Sequence, residues 1–453
     1  GDRVAALAQN CSDLFELLFG CGRVGAIFVP LNWRLTVPEL AYITGNATPV
    51  LLFHDADNAD AASALVAESD VPLILMGGEQ GTAYECALAA AEPFGDPVAL
   101  HQDDVQALMY TSGTTGFPKG AMLTYAMSFW NAINVGLPIG IGADTRFLSV
   151  MPFFHTAGIN LFGNPVFHAG GHVLMMRGFE PGATLAALGD PALGITHFFG
   201  VPAVYLFMAQ HPDFAATDLG TLRIACVGGA ATPPPLLDIW TRRGIPLANG
   251  YGMTETGTGV SLLTGADAAR KQGSVGQKVL HVETRIVRSD GSEADVDEAG
   301  ELWVRGPGIT PGYWRDPVGT GASFVDGWLK TGDVLRRDAE GFLFVMDRAK
   351  DMYISGGENV YPAEVEGVLH RLDGVADAAV IGVSDERWGE TGLAIVVARP
   401  DAVLDEAAVL AHCRDNLARF KHPRAVIFTD VLPRTASGKI HKPTLRERFG
   451  AAG

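Results

Sequence analysis

The sequence predicts an α/β protein: a large N-terminal domain of layered α/β sheets with a β-rich subdomain, followed by a small α+β C-terminal domain. Three observations carry that reading. Short apolar runs alternate with helical stretches through the first half of the chain, the texture turns β-rich near Gly273, and past Arg348 it becomes a compact mixture of both. At 453 residues the chain is also too long for a single hydrophobic core, so two or more domains are required.

Taken in order, "DRVAALAQN", "GAIFVPLN", "PVLLFHD" and "VPLILMG" read as strands, separated by helical stretches such as Cys11–Gly20 and Thr36–Thr44. Alternation of this kind implies largely parallel sheets, because parallel strands need a crossover between them. The pattern recurs in "THFFGVP", "LRIACVGGA" and "IPLANGYG". "VETRIVRSDGS" and "GELWVRGPG" then read as hairpin strands. The C-terminal domain follows as "GENVYPAEVEGVLHRL", "VADAAVIGVSD", "GLAIVVARP" and a helix over Leu404–Leu417. The boundary is expected near Asp347–Asp351, giving domains over 1–349 and 350–453. There is no internal repeat and no low-complexity segment.

An apolar share of 48% with 19% charged residues suits a large buried interior and excludes general disorder. The net charge, 33 − 51 = −18, argues against a nucleic-acid partner, which calls for a basic footprint. From Arg414 to Arg448, however, nine Lys/Arg face three Asp/Glu, a local surplus that fits either a mobile domain meeting phosphate groups or an ordinary solvated basic face. Cys11, Cys21, Cys86, Cys226 and Cys413 are scattered without CxxC spacing and read as thiols in a reducing compartment. The stretch Phe147–Met176 holds no Asp, Glu, Lys or Arg over 30 residues, yet its three histidines, two asparagines and two prolines do not suit a lipid-facing helix. Buried strands and loops around an apolar cavity are expected there instead. The expected location is the cytoplasm, with no membrane span.

Chemistry concentrates in five short motifs. "YTSGTTGFPKG" (Tyr110–Gly120) combines glycines that let backbone N–H groups approach a polyphosphate with a lysine that supplies a point charge. It is not a Walker A loop, since Lys119 follows Pro118 rather than glycine; a flexible linker has the same composition. "NGYGMTETG" (Asn249–Gly257) offers an aromatic face, a hydroxyl and a carboxylate within five residues: Tyr251 to stack on a base, Thr254 to touch a phosphate, Glu255 to hold Mg²⁺. "KTGD" ends in Asp333, a carboxylate suited to vicinal hydroxyls. "DRAKDMYISGGENVYPAEVE" sets Arg348 and Lys350 at the domain junction, and "PRTASGKIHK" presents Lys439 in the basic tail. Each alone reads equally well as core filler, a turn or plain surface.

Together, in this order and spacing, the five resemble the adenylate-forming superfamily of acyl-CoA synthetases, adenylation domains and luciferases, over essentially the whole chain. Family members usually carry several dozen residues before the strand that "GDRVAAL" resembles, so the N-terminal domain is expected to lack the family's first segment. The resemblance implies the adenylate-forming fold with a mobile C-terminal domain, and ATP, Mg²⁺, CoA and a small carboxylic acid as what the enzyme handles. It assigns Thr111, Ser112, Gly113, Thr114, Thr115, Gly116 and Lys119 to the β- and γ-phosphates of ATP. It counts Gly229, Ala230, Asn249, Gly250, Tyr251 and Gly252 among the cofactor-binding positions, Tyr251 matching the adenine-stacking residue and Asn249 the adenine-edge partner. Asp333 and Arg348 match the ribose pair, Thr254 the α-phosphate contact, Glu255 the Mg²⁺ ligand, and Lys439 the lysine bridging carboxylate and α-phosphate. Lys350 matches a hinge whose rotation would exchange Lys439 for Gly357 and Trp388 beside a pantetheine tunnel.

Three classes remain open on this resemblance: a CoA ligase, a stand-alone adenylation enzyme loading a carrier protein, and a luciferase-like oxygenase. Amino-acid-activating members carry an Asp in the segment matching "PFFHTAG"; His155 stands there instead, either as a gate or as a satisfied core histidine. The implied acyl pocket draws on Phe153, His155, Gly158, Phe199, Val201, Gly228, Gly229, Ala230, Met253 and Gly257. Arg177 is the single Lys/Arg between Phe147 and Leu222, and a buried unpaired charge is costly, so an apolar monocarboxylate is expected, aryl or aliphatic. A homodimer is left open.

Overall fold

The computed structural model describes residues 1–450 apart from 78–81, 112–117, 231, 349–350, 356–357, 386–387, 401, 418 and 436–437, with backbone alone at 266, 347–348, 358–359 and 389. Four sheets organise the chain. The first has the spatial order Leu73–Leu75, Leu51–His54, Arg3–Leu7, Ile27–Pro30, Val105–Thr111, Lys119–Thr124, parallel throughout except for the last, antiparallel pair. The second runs Gln277–Lys278, Ser261–Leu263, Leu247–Tyr251, Ile224–Gly228, His197–Gly200, Arg146–Ser149, His172–Met175; its last five strands are parallel. Inner strands such as Ile27–Pro30 and His197–Gly200 are buried on both faces, which explains why they appear in the sequence as continuous apolar runs rather than alternating ones.

Helices cover the sheets as the sequence dictates. Asp13–Val24 buries Leu14, Phe15, Leu17, Leu18 and Cys21 and ends on Gly25 at φ +70°, the left-handed cap that glycine adopts without Cβ strain. Phe15 packs edge-on to Phe153 at 4.7 Å, joining the first sheet's helix layer to the second sheet. Asn10 fixes the same seam with its buried amide, donating to Met151 O at 2.9 Å and accepting from Phe153 N–H at 2.9 Å. The charge-free stretch 147–176 departs from expectation: between its two strands it forms the helical segments Ala157–Leu161 and Gly163–His168. Proline at 165 is tolerated inside that short helix at a point where the chain has just left a widened turn.

The β-rich part is the antiparallel sheet Glu283–Val287, Ala299–Arg305, Trp328–Arg337, Phe324–Val325, with Leu343–Arg348 on Trp328–Arg337. The C-terminal unit is a long hairpin, Val375–Asp385 against Gly389–Ala398, flanked by Tyr353–Ser355, Glu358–Val360 and the parallel strand Pro423–Phe428. Helices Pro362–Leu369 and Glu406–Asn416 bury Val365, Leu369, Val409 and Cys413 against Val380, Ala394 and Val396 in a core of their own. The predicted helix over 404–417 thus falls within two residues of its observed bounds. Among the described residues no helix is long and apolar enough to cross a membrane.

Candidate active site

Ligand sites in doubly wound sheets form beyond the carboxyl ends of parallel strands. In the second sheet, Gly228 and Gly250 are register partners at the ends of neighbouring strands, and Val227 pairs with Gly200 on the other side. Gly229, Gly252 and Val201 therefore emerge side by side at one edge. Gly229 takes φ +82°, turning the chain away from the strand. Gly252 has no room for a side chain, since a Cβ there would overlap the Thr258 carbonyl oxygen. The close crossing of "GYGM" under 258–259 is what aims Thr254–Thr256, a single 3₁₀ turn, at the same edge.

Glu255 lies in that turn and is only 5% exposed. Its Oε1 accepts from the Tyr313 hydroxyl at 3.0 Å and the Thr111 hydroxyl at 3.4 Å, while its carbonyl accepts from Thr310 N–H at 2.8 Å. Burial, and after it the neighbouring Glu255 carboxylate, push the Tyr313 phenol above its ordinary value. Thr111 ends one strand of the hairpin whose other strand begins at Lys119, its register partner. The rest of the glycine-rich motif lies between these two strands in sequence; Ser112, Gly113, Thr114, Thr115 and Gly116 lie outside the described residues. Lys119 Nζ sits 5.0 Å from the centre of the Tyr313 ring and 3.4 Å from Asp316 Oδ2.

Tyr251 donates its hydroxyl to Asp333 Oδ2 at 2.6 Å, tying the end of a parallel strand to the antiparallel sheet. Asp333 in turn stands opposite Arg348 across the Trp328–Arg337 and Leu343–Arg348 pair, so the two expected ribose residues share a register position. Asn249 is buried, and its side-chain N–H donates to Ser274 O at 3.0 Å, bracing the strand against the loop.

Lys439 reaches this edge from the C-terminal unit. Its loop is a tight hairpin: Thr435 N–H donates to Lys439 O at 2.7 Å, Arg434 and Ile440 bridge, and Arg434 pairs with Asp377 on the long hairpin. Lys439 Cε passes 3.9 Å from where a Cβ on Gly229 would sit, and a Cβ on Gly438 would meet Val201 Cγ2 at 3.2 Å. His155 faces the same space. Burial, then the charges of Lys439 and Arg34, push its imidazole down to about 4, so it is neutral at pH 7. Its Nε2 is buried without a hydrogen-bond partner among the described residues.

The remaining expected residues are scattered. Trp388 sits in the turn of the long hairpin, its backbone N–H donating to Asp385 Oδ1 at 2.9 Å. Lys350 and Gly357 lie outside the described residues. Sequence reasoning missed Tyr313 and Asp316, although "PGYWRDP" with its tyrosine and aspartate flanking a proline-started helix was a legible signal.

The chain matches the AMP-binding enzyme model over residues 1–314 and the AMP-binding enzyme C-terminal domain model over 364–439. The chain belongs to the AMP-binding enzyme family. It is 43% identical over 450 residues to a feruloyl-CoA synthase of Amycolatopsis sp, covering 99% of this chain and 89% of that protein. It is 39% identical to the indoleacetate–CoA ligase of Aromatoleum aromaticum (98% and 88% covered) and 36% identical to the long-chain-fatty-acid–CoA ligase FadD13 of Mycobacterium tuberculosis (100% and 89%). Among solved structures, ATP-bound MatB from Rhodopseudomonas palustris superposes with TM-score 0.93 at 32% identity, covering 100% of this chain and 89% of that one. The fold is therefore the adenylate-forming one, and the protein is an AMP-forming acid–thiol ligase of the acyl-CoA synthetase type, for which ATP and CoA are substrates.

Proposed function

We propose that the enzyme activates an apolar aryl monocarboxylic acid as its acyl-adenylate and then transfers the acyl group to CoA, releasing pyrophosphate in the first step and AMP in the second. The observation that carries the choice of acid is the charge balance of the pocket segment. Between Phe147 and Leu222 Arg177 is the single Lys/Arg, and it is engaged by Asp55 at 3.2 Å and Asp57 at 2.7 Å. A second carboxylate on the acid would find no further Lys/Arg in that segment and would be costly to bury unpaired; Arg34, whose charge reaches His155, lies over the rings of Trp33 at 4.7 Å and Phe154 at 5.8 Å. Phe153, Phe199 and Val201, all buried, supply an aromatic and aliphatic surface instead. Relatives named for ferulate and indoleacetate support the aryl reading. The relative named for long-chain fatty acids supports an aliphatic acid as the second reading.

Carboxylate activation is needed because a carboxylate is a poor acyl donor to a thiol; the α-phosphate of ATP turns its oxygen into a leaving group. In this reading Tyr251 stacks on adenine, Asp333 and Arg348 bind the ribose hydroxyls, and Thr254 touches the α-phosphate. Thr111, Lys119 and the loop 112–116 hold the β- and γ-phosphates. Lys439, close to Gly229 and His155, lies between the carboxylate and the α-phosphate and neutralises charge as it develops during in-line attack. Glu255 fits a Mg²⁺ ligand: it is a buried carboxylate oxygen donor fixed in place by two hydroxyls at the edge where the phosphates are proposed to lie. When bound, Mg²⁺ supplies charge neutralisation on the phosphates.

For the second step the domain 350–453 would turn on the Lys350 hinge, withdraw Lys439, and bring Gly357 and Trp388 beside the pantetheine. A pyrophosphate-release screen over a panel of carboxylic acids, with and without CoA, tests the whole reading. Release with cinnamate- or benzoate-type acids is expected, with acyl-CoA appearing when CoA is present. Activity confined to dicarboxylates or amino acids would overturn the choice of acid.

A further inference from the structure

We propose that Asp316 is the internal counter-ion that Lys119 exchanges for the departing pyrophosphate, so that Asp316 sets how tightly that leaving group is held. The inference rests on the reading of Lys119 as a polyphosphate ligand. Lys119 Nζ lies 3.4 Å from Asp316 Oδ2, with the lysine side chain 21% and the aspartate 34% exposed, so the pair is shielded from much of the solvent screening. Asp316 is bound from its other side as well. Its Oδ1 accepts the Gly319 N–H at 2.7 Å at the start of helix Pro317–Ser323, which fixes the carboxylate in place. Gly319 leaves the space that the pair needs: a Cβ there would come within 2.6 Å of Lys119 Nζ and overlap the Asp316 carboxylate. Tyr313 lies under the ammonium, 5.0 Å from ring centre to Nζ.

The surroundings fit an anion in transit rather than a sealed structural ion pair. A cleft of about 320 Å³ opens at this pair, lined by Lys119, Asp316, Tyr42, Asn46 and the consecutive Trp314 and Arg315. Arg315 takes the left-handed φ of +54°, rare for a non-glycine residue, and its guanidinium reaches Asn46 O at 3.1 Å and Thr48 Oγ1 at 3.3 Å. Two cations thus border a cleft that adjoins the lysine, while one carboxylate competes for it. With polyphosphate present, Lys119 trades Asp316 for phosphate oxygens; once the α–β bond is cleaved, Asp316 reclaims the lysine and repels the product. Removing the carboxylate's charge therefore strengthens pyrophosphate binding, the opposite of what loss of a merely orienting partner would do.

The test is calorimetric titration of magnesium pyrophosphate into the wild-type enzyme and into Asp316→Asn, Lys119→Met and the double variant. Asparagine keeps the helix cap. Asp316→Asn is expected to bind about fivefold tighter, the factor that about 1 kcal/mol of ion-pair energy converts to. Lys119→Met is expected to bind roughly tenfold weaker, the loss of one charge-assisted contact, and in its background Asp316→Asn should have no further effect. In steady state Asp316→Asn should lower both KM for ATP and kcat. Unchanged or weaker pyrophosphate binding by Asp316→Asn, with Lys119→Met still impaired, overturns the counter-ion proposal alone. Unimpaired binding by Lys119→Met overturns the reading of the phosphate loop on which it rests. Should Asp316→Asn fail to fold, Asp316→Ser offers an uncharged cap with the same expected sign.

Discussion

The Tyr313 hydroxyl donates to Oε1 of Glu255 at 3.0 Å, while the ring of the same tyrosine lies 5.0 Å from Lys119 Nζ. One side chain thus touches the carboxylate and the ammonium that would meet the phosphates from opposite sides. Tyr313→Phe keeps the ring under Lys119 and removes only the donor. A hydrogen bond to a charged group is worth about 1.5–3 kcal/mol, so roughly tenfold or greater weakening of Mg·ATP binding is expected. Titration of ATP with Mn²⁺, followed by electron paramagnetic resonance, reads this without turnover; an unchanged affinity would show that Tyr313 serves only the fold.

Lys439→Ala should separate the two half-reactions. Its hairpin is held by Arg434 and Thr435 independently of the lysine head, so the fold should survive. Loss of one preorganised charge at the reacting centre costs about 2.7–4 kcal/mol, a drop in adenylate formation of roughly a hundred- to a thousandfold. Synthetic acyl-adenylate with CoA should still yield thioester near the normal rate. Equal loss of both halves would mean that Lys439 acts through structure.

Much of the fold was legible in the sequence, and the reason is local. The alternation of strand and helix is written in consecutive residues, so the layered sheets could be read from the sequence, whereas the motifs took their roles from the family they resemble. What could not be read were partners far apart in sequence. Tyr313 meets Glu255 across 58 positions, Asn10 meets Met151 across 141, and Asn249 donates to Ser274 O across 25. Such pairings are fixed by how the sheets pack, and nothing in either partner's neighbourhood announces them. The helical segment inside 147–176 was missed for a related reason: an apolar run without charges carries no period to choose between strand and helix.

His155 makes stability and reactivity depend on pH. Its folded value, about 4, lies below the ordinary 6.5, so the unfolded chain binds the proton more readily. Its neutral form is no liability above pH 6.5; stability falls as acid carries the pH from 6.5 towards 4, by an amount on the order of 3 kcal/mol. His155→Gln should flatten the thermal melting temperature across that window. Because Lys439 contributes to the depression, Lys439→Ala should raise the histidine's titration midpoint, which NMR of the imidazole reads directly. A midpoint unmoved by Lys439→Ala would mean that the lysine does not dwell beside it.

Gly252→Ala would drive a methyl group into the Thr258 carbonyl oxygen. The backbone must shift, at a cost of about 2–4 kcal/mol, and the shift moves both Tyr251 and Thr254. A lowered melting temperature together with weakened ATP binding is expected. A lowered melting temperature with normal ATP affinity would detach this crossing from the nucleotide site.

The most direct measurement of the central claim is the nucleotide product formed with a cinnamate-type acid, CoA and ATP, resolved by chromatography beside the thioester. AMP and pyrophosphate should each appear in step with acyl-CoA, and kcat/KM for a dicarboxylate of similar size should be lower by roughly a hundredfold, the discrimination expected when a charge must be buried without a partner. ADP with inorganic phosphate, or a preference for the dicarboxylate, would contradict the account.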